Sequence, residues 1–389
     1  MSSTEPRYCF LVDWFDIHAQ LTREYEFFFY PSDSTIEMYD SKQRRTFLKR
    51  TKYSLRLQDL FLGAAINVHS RQLTIRDYGD DYSRGKLLNQ MESTLLLIKP
   101  DGYAAIGKII DSSIQRQFSI CRMRMLNVTP NLAQTLLEKD PAAHAMIDSF
   151  IGGHSLAIEL LKPNAVQELI DFAGPLLVED ANREDPKCIR AQFGSSGYKN
   201  AVHVPSSYEE AKRQLDIIFG SSSSSITRTA TFRNCSLAII KPHAIVQGQS
   251  GVLISMIQAA GFSITDMELY HLDRSNAEDF LEVYKGVVPE YHLMVDQLTA
   301  GPLIAIEISG NEDITTVFRE FAGPTDPELA KQVRPSSIRA KFGVDKVCNA
   351  VHCTDLPEDG VLESQFFSGS CRLDPYSLRV SIQQWSYIY

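Results

Sequence analysis

Two blocks of the chain place an arginine, an asparagine and a histidine at the same intervals. One runs Ile338-Arg339-Ala340-Lys341-Phe342-Gly343 and continues through Asn349 to His352. The other runs Ile189-Arg190-Ala191-Gln192-Phe193-Gly194 and continues through Asn200 to His203. All three positions are offset by 149 residues, the mark of an internal duplication. Neutral imidazole is a nucleophile, and a guanidinium with an amide beside it can hold phosphate oxygens. Each block therefore reads as apparatus for phosphate chemistry.

A lysine precedes each block at the end of an apolar run. Thr94–Ile98 leads into Lys99-Pro100, and Leu237–Ile240 leads into Lys241-Pro242. The proline stops the strand and fixes the lysine at the sheet edge. The lysines are offset by 142, so seven residues are missing from the first copy between its lysine and its arginine. Leu156–Ile158 and Leu303–Ala305 lie in apolar runs that read as central strands. Ile314, Val317, Phe318 and Phe321 fall on one helical stripe, and Val166, Leu169, Ile170 and Ala173 repeat it. The order β-α-β-α-α-β-α, then a loop and a terminal helix, predicts a split βαβ, ferredoxin-like sheet with helices on one face.

The residues ahead of the duplication differ. Tyr8–Val12 and Tyr25–Tyr30 are aromatic-rich, Pro31–Ser34 is a turn signal, and Thr35–Tyr39 alternates. Ala65–Val68 and Gln72–Ile75 add two expected strands, so a small, mostly β domain is predicted. Lys42, Arg44, Arg45, Lys49, Arg50 and Lys52 form a basic segment, either a solvated strand face or a docking patch for an acidic surface. The fold class is thus α+β: a β domain over 1–90, ferredoxin-like copies over 91–220 and 232–367, a serine-rich linker over 221–231, and a tail over 368–389 assigned no structure.

The bulk composition narrows the function. The 389 residues are 44% hydrophobic and 22% charged, enough apolar material for several cores. A net charge of −9 argues against bulk electrostatic binding to nucleic acid. Seven scattered cysteines with no Cys-x-x-Cys pair read as reduced thiols. No apolar run approaches the length of a membrane span. A soluble intracellular protein is expected, with no membrane or sequence-specific nucleic-acid partner.

Ile-Lys-Pro closing a strand and Asn-x-x-His following Ile-Arg-x-x-Phe-Gly resemble the nucleoside diphosphate kinase family. Two copies behind an aromatic domain containing Arg45-Thr46-Phe47-Leu48-Lys49-Arg50-Thr51-Lys52-Tyr53 resemble its ciliary branch, which carries an N-terminal doublet-microtubule-type domain. The resemblance implies transfer of a γ-phosphate from a nucleoside triphosphate such as ATP to a nucleoside diphosphate through phosphohistidine, with Mg²⁺ carried by the nucleotide. It also implies association with tubulin, doublet microtubules and the γ-tubulin ring complex, and location in the cytoplasm, cytoskeleton, ciliary axoneme and centrosome.

In the second copy the resemblance makes His352 the nucleophile and Glu363 its orienting carboxylate. It places Lys241, Arg319, Thr325 and Arg339 on phosphate, Asn349 on the ribose, Tyr284 near the lysine, and Tyr291 as the base-stacking aromatic. Cys353 stands where the family has glycine, and His243 where it has aspartate. The first copy keeps Lys99, Arg190, Asn200 and His203, but Gln214 replaces the carboxylate, and Ile170 and Leu176 replace the arginine and threonine. Its segment Glu138–His144 lacks the tyrosine and the stacking aromatic, which the seven-residue deficit is expected to explain. An active second copy and a degenerate first one are predicted. The alternative is a non-enzymatic microtubule inner protein or scaffold.

Overall fold

The computed structural model describes residues 7–16, 19, 21–53, 55, 57, 60, 65–69, 71–87, 91–220, 226–310 and 313–370. The five-serine run and the tail beyond residue 370 lie outside them.

The chain divides into two compact units, essentially the first ninety residues and the duplicated body. The first holds a six-stranded antiparallel sheet of β1 (Tyr8–Asp16), β2 (Leu21–Tyr30), β3 (Thr35–Asp40), β4 (Arg45–Lys52), β5 (Ala65–Val68) and β6 (Arg71–Tyr78). The spatial order is β4-β3-β2-β1-β6-β5. Every strand expected from the aromatic runs is present. Phe10, Phe27, Ile36, Met38, Leu73 and Ile75 are fully buried, so alternation sets the core face. Of the basic segment, Arg45, Lys49, Arg50 and Lys52 fall on the edge strand β4, and Lys42 and Arg44 in the turn before it. Arg50 bonds Asp33 and lies over the Tyr30 ring, and Lys42 pairs with Glu24.

In the body, the first copy contributes β7 (Met91–Ile98), β8 (Ser119–Asn127), β9 (His154–Pro163) and β10 (Val202–His203). The second contributes β11 (Cys235–Ile240), β12 (Ser263–His271), β13 (Pro302–Ser309) and β14 (Val351–Cys353). Each copy has the ferredoxin-like strand order, and the two join into one eight-stranded sheet, β10-β7-β9-β8-β12-β13-β11-β14. The junction is antiparallel, with Glu268 opposite Arg124.

Beside it the helices Ile106–Gln115 and Ser250–Ala259 cross at glycines. A Cβ on Gly107 would overlap the Ser255 backbone nitrogen and come within 2.6 Å of the Gly251 carbonyl oxygen. One on Gly251 would overlap the Asp111 nitrogen and come within 2.6 Å of its Cα. The contact is reciprocal, as around a local two-fold axis.

Three expectations change. The strands are buried on both faces: Leu303 and Ala305 pack with Tyr291, Val295 and Leu298, while Ile304, Ile306 and Ile308 on the opposite face are equally covered. On the helix Ile314–Ala322 the buried stripe is Ile314, Phe318 and Ala322; Val317 is exposed, and Phe321 packs at the margin on Phe262 and Phe318. The length deficit is also spread out. The offset is 142 at the lysines, 144 at Gly107 and Gly251, 148 at Ala157 and Ala305, and 149 at Gly174 and Gly323. Only four of the seven missing residues therefore fall between β8 and β9.

Candidate active site

The short strand β14 pairs with β11 and sets His352 opposite Ile239. Ala350 just before it is left-handed (φ 70°), and so is its counterpart Ala201 (φ 67°). A non-glycine residue there is strained and must be held by its surroundings. Its carbonyl accepts from the Lys241 backbone N–H at 3.0 Å, and its own N–H donates to His243 Nε2 at 3.1 Å. In the first copy the Ala201 N–H donates instead to the Asp101 carboxylate at 2.7 Å. His243 thus performs the aspartate's task as a neutral imidazole, and burial lowers its pKa to about 4.

The helix Gly360–Gln365 brings Glu363 Oε2 to 3.1 Å from His352 Nε2. Thr354 Oγ1 donates to the same oxygen at 2.9 Å and accepts from the Leu237 N–H at 2.9 Å. With Nε2–H directed at Glu363, Nδ1 is the nitrogen that keeps its lone pair. The Phe280 ring meets the imidazole edge-on, centroids 5.1 Å apart.

Lys241 Nζ donates to Val347 O at 2.8 Å and to Asn349 Oδ1 at 2.7 Å. Burial first, and the Arg339 charge second, lower its pKa to about 7. Arg339 bonds the carbonyls of Gly323 and Val351. Asn349 donates to Thr325 O at 3.1 Å. Arg319 bonds the Asp355 carboxylate and carbonyl, and the Tyr284 hydroxyl donates to the same carboxylate. Burial and that carboxylate hold the Tyr284 hydroxyl well above its ordinary pKa.

Among the residues expected in the second site, the bonds form four groups: His352 with Glu363, Lys241 with Asn349 and the Thr325 carbonyl, Arg339 with two carbonyls, and Arg319 with Tyr284 through Asp355. Tyr291 is placed differently. It is 5% exposed and packed among Tyr270, Leu272, Val295 and Leu298, so its ring offers no face for a base. Thr354, Asp355 and Phe280 were not singled out from sequence. Aligning the copies would have flagged Thr354, because Pro205 stands at its counterpart.

The first site keeps the frame, with Lys99 and Arg190, and loses the carboxylate, one arginine and the threonine. Arg190 still bonds the Gly174 carbonyl at 2.6 Å, as Arg339 bonds Gly323. Asn200 bonds Leu176 O at 2.5 Å, as Asn349 bonds Thr325 O. His203 Nε2 faces Gln214 Oε1 at 2.9 Å, and burial pushes its pKa down to about 4. Lys99 Nζ bonds Ser149 Oγ and the Tyr198 carbonyl, and burial lowers its pKa to about 8. Ile170 and Leu176 bring no cation or hydroxyl.

Residues 92–224 and 234–372 match the family described as nucleoside diphosphate kinase. The chain belongs to the nucleoside diphosphate kinase family. Residues 2–89 match the description "Nucleoside diphosphate kinase 7 N-terminal PH domain". The mouse relative "Nucleoside diphosphate kinase homolog 7" is 45% identical over 93% of this chain and 92% of its own length. Its rat counterpart is 44% identical over the same shares. The Aquifex aeolicus "Nucleoside diphosphate kinase" is 37% identical over 34% of this chain and 93% of its own length.

Proposed function

We propose that the second copy moves a γ-phosphoryl group from a nucleoside triphosphate to a nucleoside diphosphate through His352. The Nδ1 lone pair forms a bond to the γ-phosphorus as the bond to the β,γ-bridging oxygen breaks, and the nucleoside diphosphate leaves with that electron pair. A second diphosphate then attacks the phosphohistidine, and Nδ1 is restored. Glu363 holds the Nε2 proton and offsets the positive charge that develops on the ring. Lys241, Arg339 and Arg319 supply cations near the transferred group. With donors of this sign, a divalent cation such as Mg²⁺ would be held by the nucleotide phosphates rather than by a protein cage.

The observation carrying this reading is the His352–Glu363 contact, which has no charged equivalent at His203. Incubation with γ-labelled ATP and Mg²⁺ should give an acid-labile phosphoprotein. His352→Ala should abolish the label and His203→Ala should leave most of it. Full labelling of His352→Ala would overturn the assignment.

A second role, as a scaffold on axonemal microtubules and the γ-tubulin ring complex, draws support from the exposed basic edge strand β4. Among the described residues Lys42 pairs with Glu24 and Arg50 with Asp33, which leaves the exposed Arg44, Arg45, Lys49 and Lys52 for an acidic surface such as tubulin. Charge reversal at those four should reduce co-sedimentation with microtubules. Unchanged co-sedimentation would remove the basis for this role and for the cytoskeletal, ciliary and centrosomal placement that goes with it.

A further inference from the structure

The two-fold relation between the copies puts a test on one pair of residues. β-bulges fall at Ile120/Arg122 in β8 and Ile264/Asp266 in β12, the same position at an offset of 144. Arg124 opposes Ala157 of β9, and Glu268 opposes Ala305 of β13, so Arg124 and Glu268 are structural equivalents. They also stand opposite each other where β8 meets β12, with Arg124 Nε 3.0 Å from Glu268 Oε1. Such a residue lies on the local axis. In a pair of identical copies it would face itself.

We propose that this charge exchange makes the face formed by β12 and the helix Ser250–Ala259 selective for the first copy of the chain and hostile to a second copy of itself. Sterically, pairing of like with like is allowed. Gly107 packs on Ser255 and Gly251 on the first copy's Asp111, equivalent positions, so both helices offer the same close approach and the glycines do not distinguish them. The charges decide. First copy on first copy would set Arg124 against Arg124, and second on second would set Glu268 against Glu268. Like charges directly opposite in an antiparallel pair are destabilising, and selectivity arises from that penalty on the wrong partner. Both side chains are largely buried, which limits screening by salt.

Glu268 is held further by Arg228 at 2.9 Å and by the Tyr270 hydroxyl at 2.8 Å. Arg228 lies in the segment joining the copies and stays with the second one, so it would partly offset Glu268 against Glu268 and leaves Arg124 against Arg124 as the larger penalty. The first copy then acts as the built-in partner subunit of the second, whatever its own chemistry.

The test uses the intact chain with a protease site inserted in Ser221–Ser225, folded first and then cleaved. The halves should stay together one to one in native mass spectrometry. After dissociation in mild denaturant and return to buffer, only mixed pairs should re-form. A half carrying Arg124→Glu should bind the ordinary second half at least tenfold more weakly, with neutral Arg124→Gln intermediate. Pairing Arg124→Glu with Glu268→Arg should recover part of the loss, because Arg228 still faces position 268. Homodimers of either half, failure of the halves to stay together, or equal binding of Arg124→Glu and Arg124→Gln would each overturn the inference. Thermal unfolding of the uncleaved Arg124→Gln chain serves as the fold control; a folded variant with undiminished pairing preference also counts against it.

Discussion

Glu363 Oε2 lies 3.1 Å from His352 Nε2, whereas the corresponding partner of His203 is the Gln214 amide oxygen at 2.9 Å. The geometry is nearly the same and the charge is not. An amide accepts the Nε2 proton's hydrogen bond but cannot offset charge building on the ring during phosphoryl transfer. Glu363→Gln should therefore leave nucleotide binding almost intact and slow phosphohistidine formation by roughly 10²-fold. Single-turnover labelling with ATP separates the two effects. A variant with unchanged turnover would show that the carboxylate only orients the imidazole.

Lys241 gives a pH signature. Its free-state pKa is lowered to about 7 by burial and by the Arg339 charge. The cation is present below that value and is lost as pH rises through it. Phosphate binding favours the charged form, so binding above pH 7 takes up a proton. Nucleotide affinity should weaken as pH rises from about 7, by up to about tenfold per pH unit. Calorimetry in buffers of different ionisation heat would report the proton uptake directly. Lys241→Gln should bind more weakly and lose this dependence.

His243 supports the turn before the nucleophile and can be tested through stability. Its Nε2 accepts the Ala350 N–H, so the neutral ring carries its proton on Nδ1, beside the Gln297 amide at 3.0 Å. Placing the amide oxygen there satisfies both groups. His243→Ala would leave a buried N–H unpaired at a left-handed alanine, a loss of about 1–3 kcal/mol in denaturant unfolding. His243→Asp supplies the acceptor used at Asp101 and should be tolerated. Because the folded pKa is depressed, the wild-type contribution is complete above the unfolded value near 6.5 and drains away as pH falls toward 4. His243→Asp should flatten the upper part of that window.

The repeated block made His352, Arg339 and Asn349 legible, because their intervals survive duplication, and Lys241 was legible from the Lys-Pro that closes the strand in each copy. Glu363 and Tyr291 came from the family resemblance, and only packing decides whether an aromatic ring faces solvent or core. A half-buried loop carboxylate such as Asp355 has no periodic signature; its importance lies in holding both Arg319 and Tyr284. The junction of β8 with β12 was open in the sequence for a similar reason. Each strand alternates acceptably alone, and the reversed charges at Arg124 and Glu268 acquire meaning only once the 144-residue offset of that stretch is known. Duplication therefore revealed what the copies share, and the structure was needed for what they do to each other.

Gly107 tests that junction from the packing side. In an exposed helix, replacing glycine with alanine gains about 1 kcal/mol through backbone entropy. At position 107 the added methyl would overlap the Ser255 backbone nitrogen and approach the Gly251 carbonyl oxygen, neither of which can swing away as a side-chain end would. Forcing the helices apart would also stretch the adjoining Arg124–Glu268 pair. Overpacking of about 1–3 kcal/mol or more should outweigh the propensity gain. Gly107→Ala should lower the thermal midpoint of the body and Gly107→Leu should lower it further, whereas Gly85→Ala, where nothing lies within 4 Å of an added methyl, should be neutral or stabilising. A Gly107→Ala midpoint at or above that of the parent chain would mean that the helices can part freely, and that close approach at the glycines does not hold the two copies in one sheet.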